Sequence, residues 1–93
     1  MPTPIAIKEK DPDSVLDYTL DWGTDWLDGD TISTSTWSVP AGITMDSEVE
    51  TATTTTIWVS GGTADQEYEL TNQIVTAGGR TADRTILICV VER

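Results

Sequence analysis

The stretch Gln66–Arg93, QEYELTNQIVTAGGRTADRTILICVVER, decides the fold. Its first half alternates without a break. Tyr68, Leu70, Asn72 and Ile74 fall on one side, and Glu67, Glu69, Thr71 and Gln73 on the other. Successive side chains of a strand point to opposite faces, so this pattern predicts a strand with one face on a core. Ala77-Gly78-Gly79 supplies a turn, and an almost continuous apolar run follows from Ile86 to Val91. Such a run suits a strand buried on both faces or placed in the middle of a sheet. The two halves predict a long hairpin joined at Ala77–Arg80. Tyr68, at the start of the penultimate strand, stands where β-sandwich domains place a corner tyrosine.

The same period runs upstream. Leu16, Tyr18, Leu20 and Trp22 share one face, with Asp17, Thr19 and Asp21 opposite, until Gly23 breaks the strand. Asp28-Gly29 is a pair suited to a type I′ turn. In Thr31–Gly42 the anchors are Ile32, Trp37 and Val39. Ile32 and Trp37 are separated by an odd number of residues, so burying both needs a change of side, and a bulge near Ser35 is expected. Pro40-Ala41-Gly42 ends that strand. Ile43–Glu50 is a short strand candidate with Ile43 and Met45 on one face, and Thr51–Ser60 is β-branched and closed by Gly61-Gly62. Both glycine pairs are expected to serve hairpin turns at positive φ. No useful window has helical periodicity. Six to seven short strands with regular turn signals predict an all-β, antiparallel β-sandwich, with a small barrel as the other arrangement of the same strands.

The chain has 93 residues, one domain's worth. A chain of this size buries roughly 60–65% of its unfolded surface, so the core must be thin. Met1–Lys10, with Pro2 and Pro4, is expected to form an extended N-terminal arm whose Ile5 and Ile7 alternate with Ala6 and Lys8 and can dock as an edge strand. Residues 11–93 are expected to form the sandwich. Sixteen acids face five bases, a net charge of -11, and no base lies between Asp11 and Gly79. Such a surface repels nucleic acid and anionic membrane and attracts basic surfaces or cations. No segment has the ~18 apolar residues of a membrane-spanning helix. The N-terminus lacks a signal-peptide pattern, and the single cysteine cannot pair within the chain, so folding in a cytoplasm is expected.

Catalytic chemistry has little to build on. There is no histidine, which removes Ser-His-Asp and Cys-His systems and most zinc and iron sites. Cys89, inside ILICVVE, is expected to be a small buried hydrophobe. No helix pattern follows either glycine pair, so neither is a phosphate loop. Among sixteen acids no carboxylate pair stands out for glycoside hydrolysis. The run DWGTDWLDGD offers Asp21, Asp25, Asp28 and Asp30 to calcium, but its spacing is not that of an EF-hand loop. The expectation is therefore a protein that is not an enzyme, with no catalytic residue, cofactor or metal. Four tryptophans and no phenylalanine point to contact instead. A thin core has room for one or two. One of Trp37 and Trp58 is expected to anchor it, and Trp26, in an acidic turn, is expected to be at least half exposed. The candidate contact residues are Ile5 and Ile7 in the arm and Trp22, Trp26, Asp28 and Asp30 in the turn.

DPDSVLDYTLDW, WLDGDTISTSTWSVPAGIT and TTTTIWVSGGTADQEYELTNQIVTAGGRTADRTI, in that order, resemble a family of small tailed-bacteriophage tail proteins, some called fiber-tail adaptor or minor tail proteins. The resemblance covers Asp11–Arg93 and is most specific in Asp30–Gly42 and Ile57–Arg84. It implies an immunoglobulin-like sandwich, present in several copies in the virion tail. It also implies partners among tail, nozzle or fiber subunits, and neither nucleic acid nor membrane. A capsid decoration protein and a carbohydrate-binding module using Trp26 or Trp58 are the alternatives that share the fold class.

Overall fold

The structure, a computed structural model, describes residues 6–23 and 26–91. The described residues form seven strands and no helix: β1 (Ala6–Lys10), β2 (Leu16–Asp21), β3 (Ile32–Ser38), β4 (Ile43–Glu50), β5 (Thr54–Gly61), β6 (Glu67–Thr76) and β7 (Thr81–Val90). They make two sheets, ordered β1-β7-β6-β3 and β2-β5-β4. Taking β2 to β7 as strands B to G gives the BED and CFG sheets of an immunoglobulin sandwich, with β1 added beside the last strand.

The expected hairpin is the longest pairing. β6 and β7 run antiparallel in continuous register from Glu67 opposite Cys89 to Val75 opposite Thr81. β7 is an inner strand, which accounts for its apolar run. One pair departs from the antiparallel expectation, because β1 runs parallel to β7, Ala6 beside Ile86 and Lys10 beside Val90. Residues 6–10 of the expected arm are thus an edge strand, while Ile5 lies outside the described residues.

The inner faces meet in one core. Leu20, Ile43, Ile57 and Val59 come from one sheet; Ile32, Trp37, Leu70, Ile74, Ile86, Ile88 and Val90 come from the other. Each buried aliphatic side chain contributes about 1.5–3 kcal/mol, so this inner layer is the main source of stability. The anchoring tryptophan is Trp37, 5% exposed, whereas Trp58 faces water at 39%. The change of side that buries both Ile32 and Trp37 occurs two residues earlier than expected. The register with β6 shifts between Ile32 and Thr34, so the extra residue is Ser33. A bulge there lets Ser35 point inward, where it joins the network described next.

A buried polar network crosses the core. Trp22 Nε1 donates to Asn72 Oδ1 at 3.1 Å and to Thr55 Oγ1 at 3.3 Å. Thr55 Oγ1 donates to Asn72 Oδ1 at 2.8 Å. Asn72 Nδ2 donates to Ser35 Oγ at 2.8 Å and to the Thr36 carbonyl at 3.2 Å. Asn72 is fully buried, and a polar group so placed is tolerated because it is hydrogen-bonded.

Both sheets are also tied at one end. Lys10 of β1 is 1% exposed, and its Nζ donates to the Gly61 carbonyl at 2.7 Å and the Asp11 carbonyl at 2.8 Å. Desolvation lowers its pKa, against the opposing pull of Asp11, Asp13 and Asp46. Tyr18 Oη of β2 donates to the Glu9 carbonyl at 3.2 Å. Near the same end Tyr68 Oη accepts from Thr63 N at 2.9 Å, closing back on the chain five residues upstream. This is the corner-tyrosine bond of sandwich domains. Gly42, at φ 102°, makes room for the ring, since a Cβ there would lie 2.9 Å from Tyr68 Cε1. Gly61-Gly62 also has positive φ, but it carries the chain from one sheet to the other and is not a hairpin turn.

Candidate functional site

The link from β2 to β3 is the acidic aromatic turn. It leaves β2 through bonds from Trp22 N and Gly23 N to the Thr53 carbonyl, at 2.9 and 3.1 Å. Trp26 N and Leu27 N then both donate to the Trp22 carbonyl at 3.1 Å. Asp30 N donates to the Leu27 carbonyl at 2.9 Å around Asp28 and Gly29, at φ 49° and 89°. Both central residues have positive φ, as the type I′ expectation requires.

Arg80, in the β6–β7 turn, organises this segment. Its Nε pairs with Asp30 Oδ2 at 3.2 Å, and its two Nη groups donate to the carbonyls of Trp26, at 3.3 Å, and Leu27, at 2.6 Å. The guanidinium lies 4.2 Å from the Trp26 ring centroid. Arg84 stacks in the same way on Trp22 at 4.2 Å, and the two tryptophans meet edge to face at 5.5 Å and 72°. Arginine suits this place because its planar fork can stack and donate in several directions at once.

Asp30 is the counterpart on the other side. Its Oδ1 accepts from Thr31 N at 2.8 Å and from Gly78 N at 3.0 Å, so it holds both its own turn and the hairpin turn. Hydrogen bonding by the Thr76 side chain, by the Thr31 and Gly78 amides and by Arg80 outweighs desolvation and lowers its carboxyl pKa to about 2.

This geometry changes the reading of the turn. Trp22, expected at a contact surface, is 1% exposed and belongs to the core, because its position continues the inward face of β2. Trp26, expected to be at least half exposed, is only partly exposed and packs on that core beneath Arg80. Asp30 is spent on internal bonds, with its side chain 16% exposed. Asp28 remains exposed, and Ile7 on β1 is 68% exposed. Asp25 lies outside the described residues, and among those described no three His, Cys, Asp or Glu side chains gather to hold a metal. Cys89 is not fully buried as expected. It is half-buried on the outer side of β7, its Sγ donates to Glu67 Oε2 at 3.7 Å, and desolvation with the Glu67 charge raises its pKa.

The described surface has no pocket. Residues 10–89 match the family described as Podophage GP4 fiber-tail adaptor protein gp77. The chain belongs to this family. The matched span runs from the last residue of β1 almost to the end of β7, so it takes in both sheets, the acidic turn and the corner tyrosine. Among curated proteins none matches. As a fiber-tail adaptor of a tailed bacteriophage, the protein is a structural part of the virion tail and interacts with tail and fiber proteins.

Proposed function

We propose that this fiber-tail adaptor joins fiber to tail by protein contact alone, without catalysis, in several copies per virion, and folds in the host cytoplasm before assembly. The observation that carries the reading is the family match across the whole sandwich. The absence of histidine and a strongly acidic chain fit a part that is assembled and does not react with or bind nucleic acid. Ile5, Ile7, Trp26 and Asp28 are the contact residues we propose in the arm and turn; Trp22 and Asp30 support them from within.

The test is a phage deleted for this gene. Its particles are expected to carry tails without fibers, and the purified protein is expected to restore fibers when added. Counting copies in reconstituted particles by quantitative mass spectrometry is expected to give a multiple that matches the tail's symmetry. Deletion particles with a full set of fibers would overturn the adaptor role, and one copy per particle would overturn the multi-copy part.

A further inference from the structure

Five large apolar side chains of the described residues are exposed: Ile7, Val15, Val49, Trp58 and Val75. Ile7 and Val75 belong to the four-stranded sheet, whereas Val15, Val49 and Trp58 lie on or beside the three-stranded one. Trp58 sits on the outer face of the central strand β5, between Asp17 of β2 and Ser47 of β4. Thr56, two residues away on the same face, lies between Thr19 and Val49. The outward direction is fixed by the 2.9 Å bond between the Thr19 and Thr56 hydroxyls, and by burial of the alternating partners Thr55, Ile57 and Val59. Val49, 56% exposed, is therefore diagonal to Trp58. Val15, also 56% exposed, stands one residue before β2 and in step with Asp17 and Thr19. The three-stranded sheet thus presents a tryptophan with two aliphatic neighbours, among threonines and serines whose short side chains leave it flat.

The rim has one sign. Asp17 and Asp21 lie on this face. Asp46, at the bulge where β4 shifts register between Met45 and Ser47, accepts from Ser60 Oγ at 3.2 Å. Glu48 and Glu50 are exposed along the β4 edge. No lysine or arginine occurs on β2, β4 or β5. A second copy of this chain would bring the same acids to the same rim, and like charges facing each other oppose association.

We infer that the outer face of the β2-β5-β4 sheet is a docking surface, centred on Trp58, for a partner protein with an apolar patch ringed by arginine or lysine. Tryptophan at the middle of a flat patch is the residue type that most often dominates interface affinity. An acidic rim steers a basic partner and sets its orientation. The inference rests on the adaptor reading only in taking that partner to be a tail or fiber subunit.

A photo-crosslinking phenylalanine analogue is placed at position 58 and, separately, at position 36, where exposed Thr36 faces outward on the opposite sheet. Each protein is added to particles of the deletion phage and irradiated. Position 58 is expected to capture a tail or fiber subunit at a segment holding arginine or lysine, and position 36 is not. Capture of a second copy or of a glycan at position 58, or capture of the subunit from position 36 alone, would overturn the inference. If fibers are restored while position 58 captures nothing, the docking face is wrong and the adaptor role stands. If wild-type protein restores no fibers, the adaptor role fails and takes this partner with it. In parallel, Trp58→Ser and the pair Asp17→Lys, Asp21→Lys are expected to keep the wild-type melting temperature within a few degrees. Trp58→Ser is expected to weaken binding to those particles about tenfold or more. The charge-reversed pair is expected to abolish the salt dependence of binding. Undiminished binding by Trp58→Ser would also refute the inference.

Discussion

Asn72 is the residue whose removal tests the buried polar network most directly. Asn72→Ala deletes the acceptor shared by Trp22 Nε1 and Thr55 Oγ1 and the donor to Ser35 and Thr36. Trp22 keeps Thr55 as a second acceptor at 3.3 Å, and half-buried Ser35 can turn to water. The fully buried Thr55 hydroxyl is left without an acceptor, the Thr36 carbonyl loses a donor, and a small cavity opens. An unsatisfied buried polar group costs about 1–3 kcal/mol, so with the cavity the expected loss is about 3 kcal/mol. At about 0.05–0.15 kcal/mol per residue the whole domain holds roughly 5–14 kcal/mol, so the loss is a large share of it. The melting temperature should fall by about 12–24 °C. Urea and thermal unfolding followed by tryptophan fluorescence measure both quantities. Asn72→Leu separates the causes, since it fills the space yet orphans the same partners. It is expected to cost about 2 kcal/mol or more. Adding Thr55→Val to it should cost less than the sum of the two single changes, because the orphaned hydroxyl is gone. An Asn72→Leu variant as stable as wild type would refute the reasoning and assign the site's worth to packing alone.

Acid should act through Asp30. Its folded-state pKa of about 2 lies below the ordinary 3.8, so its stabilisation is complete above the ordinary value and disappears as pH falls through about 2. Melting curves at successive pH values should show this decline, and Asp30→Asn should start less stable and flatten it. Arg80→Lys cannot stack on Trp26 and reach Asp30 and two carbonyls together. Because Arg80 is substantially exposed, the expected cost is only about 1 kcal/mol, read as a lower urea midpoint. Tyr68→Phe leaves Thr63 N to water and should cost about 1 kcal/mol in the same assay without changing the denaturant slope.

Much of the sandwich was legible because a half-buried strand writes its period into the sequence. Tyr68, Leu70, Asn72 and Ile74 all point inward as their alternation requires. Asn72 broke the apolar pattern without breaking the period, and that mismatch was the one local sign of the polar network. The partners that satisfy it, Trp22 and Ser35, lie 50 and 37 residues away in sequence. Alternation requires a bulge between Ile32 and Trp37, but the expectation near Ser35 misses its place at Ser33, since the two serines are chemically alike. The acidic turn departs from its expected exposure for a related reason. Its composition suggests exposure, but Arg80 and Arg84 come from a distant hairpin to cover both tryptophans. Trp58 and Val49 show the converse: a β-branched strand reveals its two faces without revealing which one the other sheet covers.

The parallel seating of β1 on β7 has a mechanical consequence. Chain entering at Ala6 and chain leaving at Val90 point in opposite directions along the same pair of strands. Tension applied between those two points would slide the strands past one another and load all five residue pairs from Ala6–Ile86 to Lys10–Val90 together, instead of peeling them singly. The buried Lys10 ammonium, clamped on the Gly61 carbonyl across the sandwich, sits at the end of that seam and resists the same slide. A part that stands between a fiber and a tail would be pulled in use, and here its β1 edge is arranged to bear load in shear.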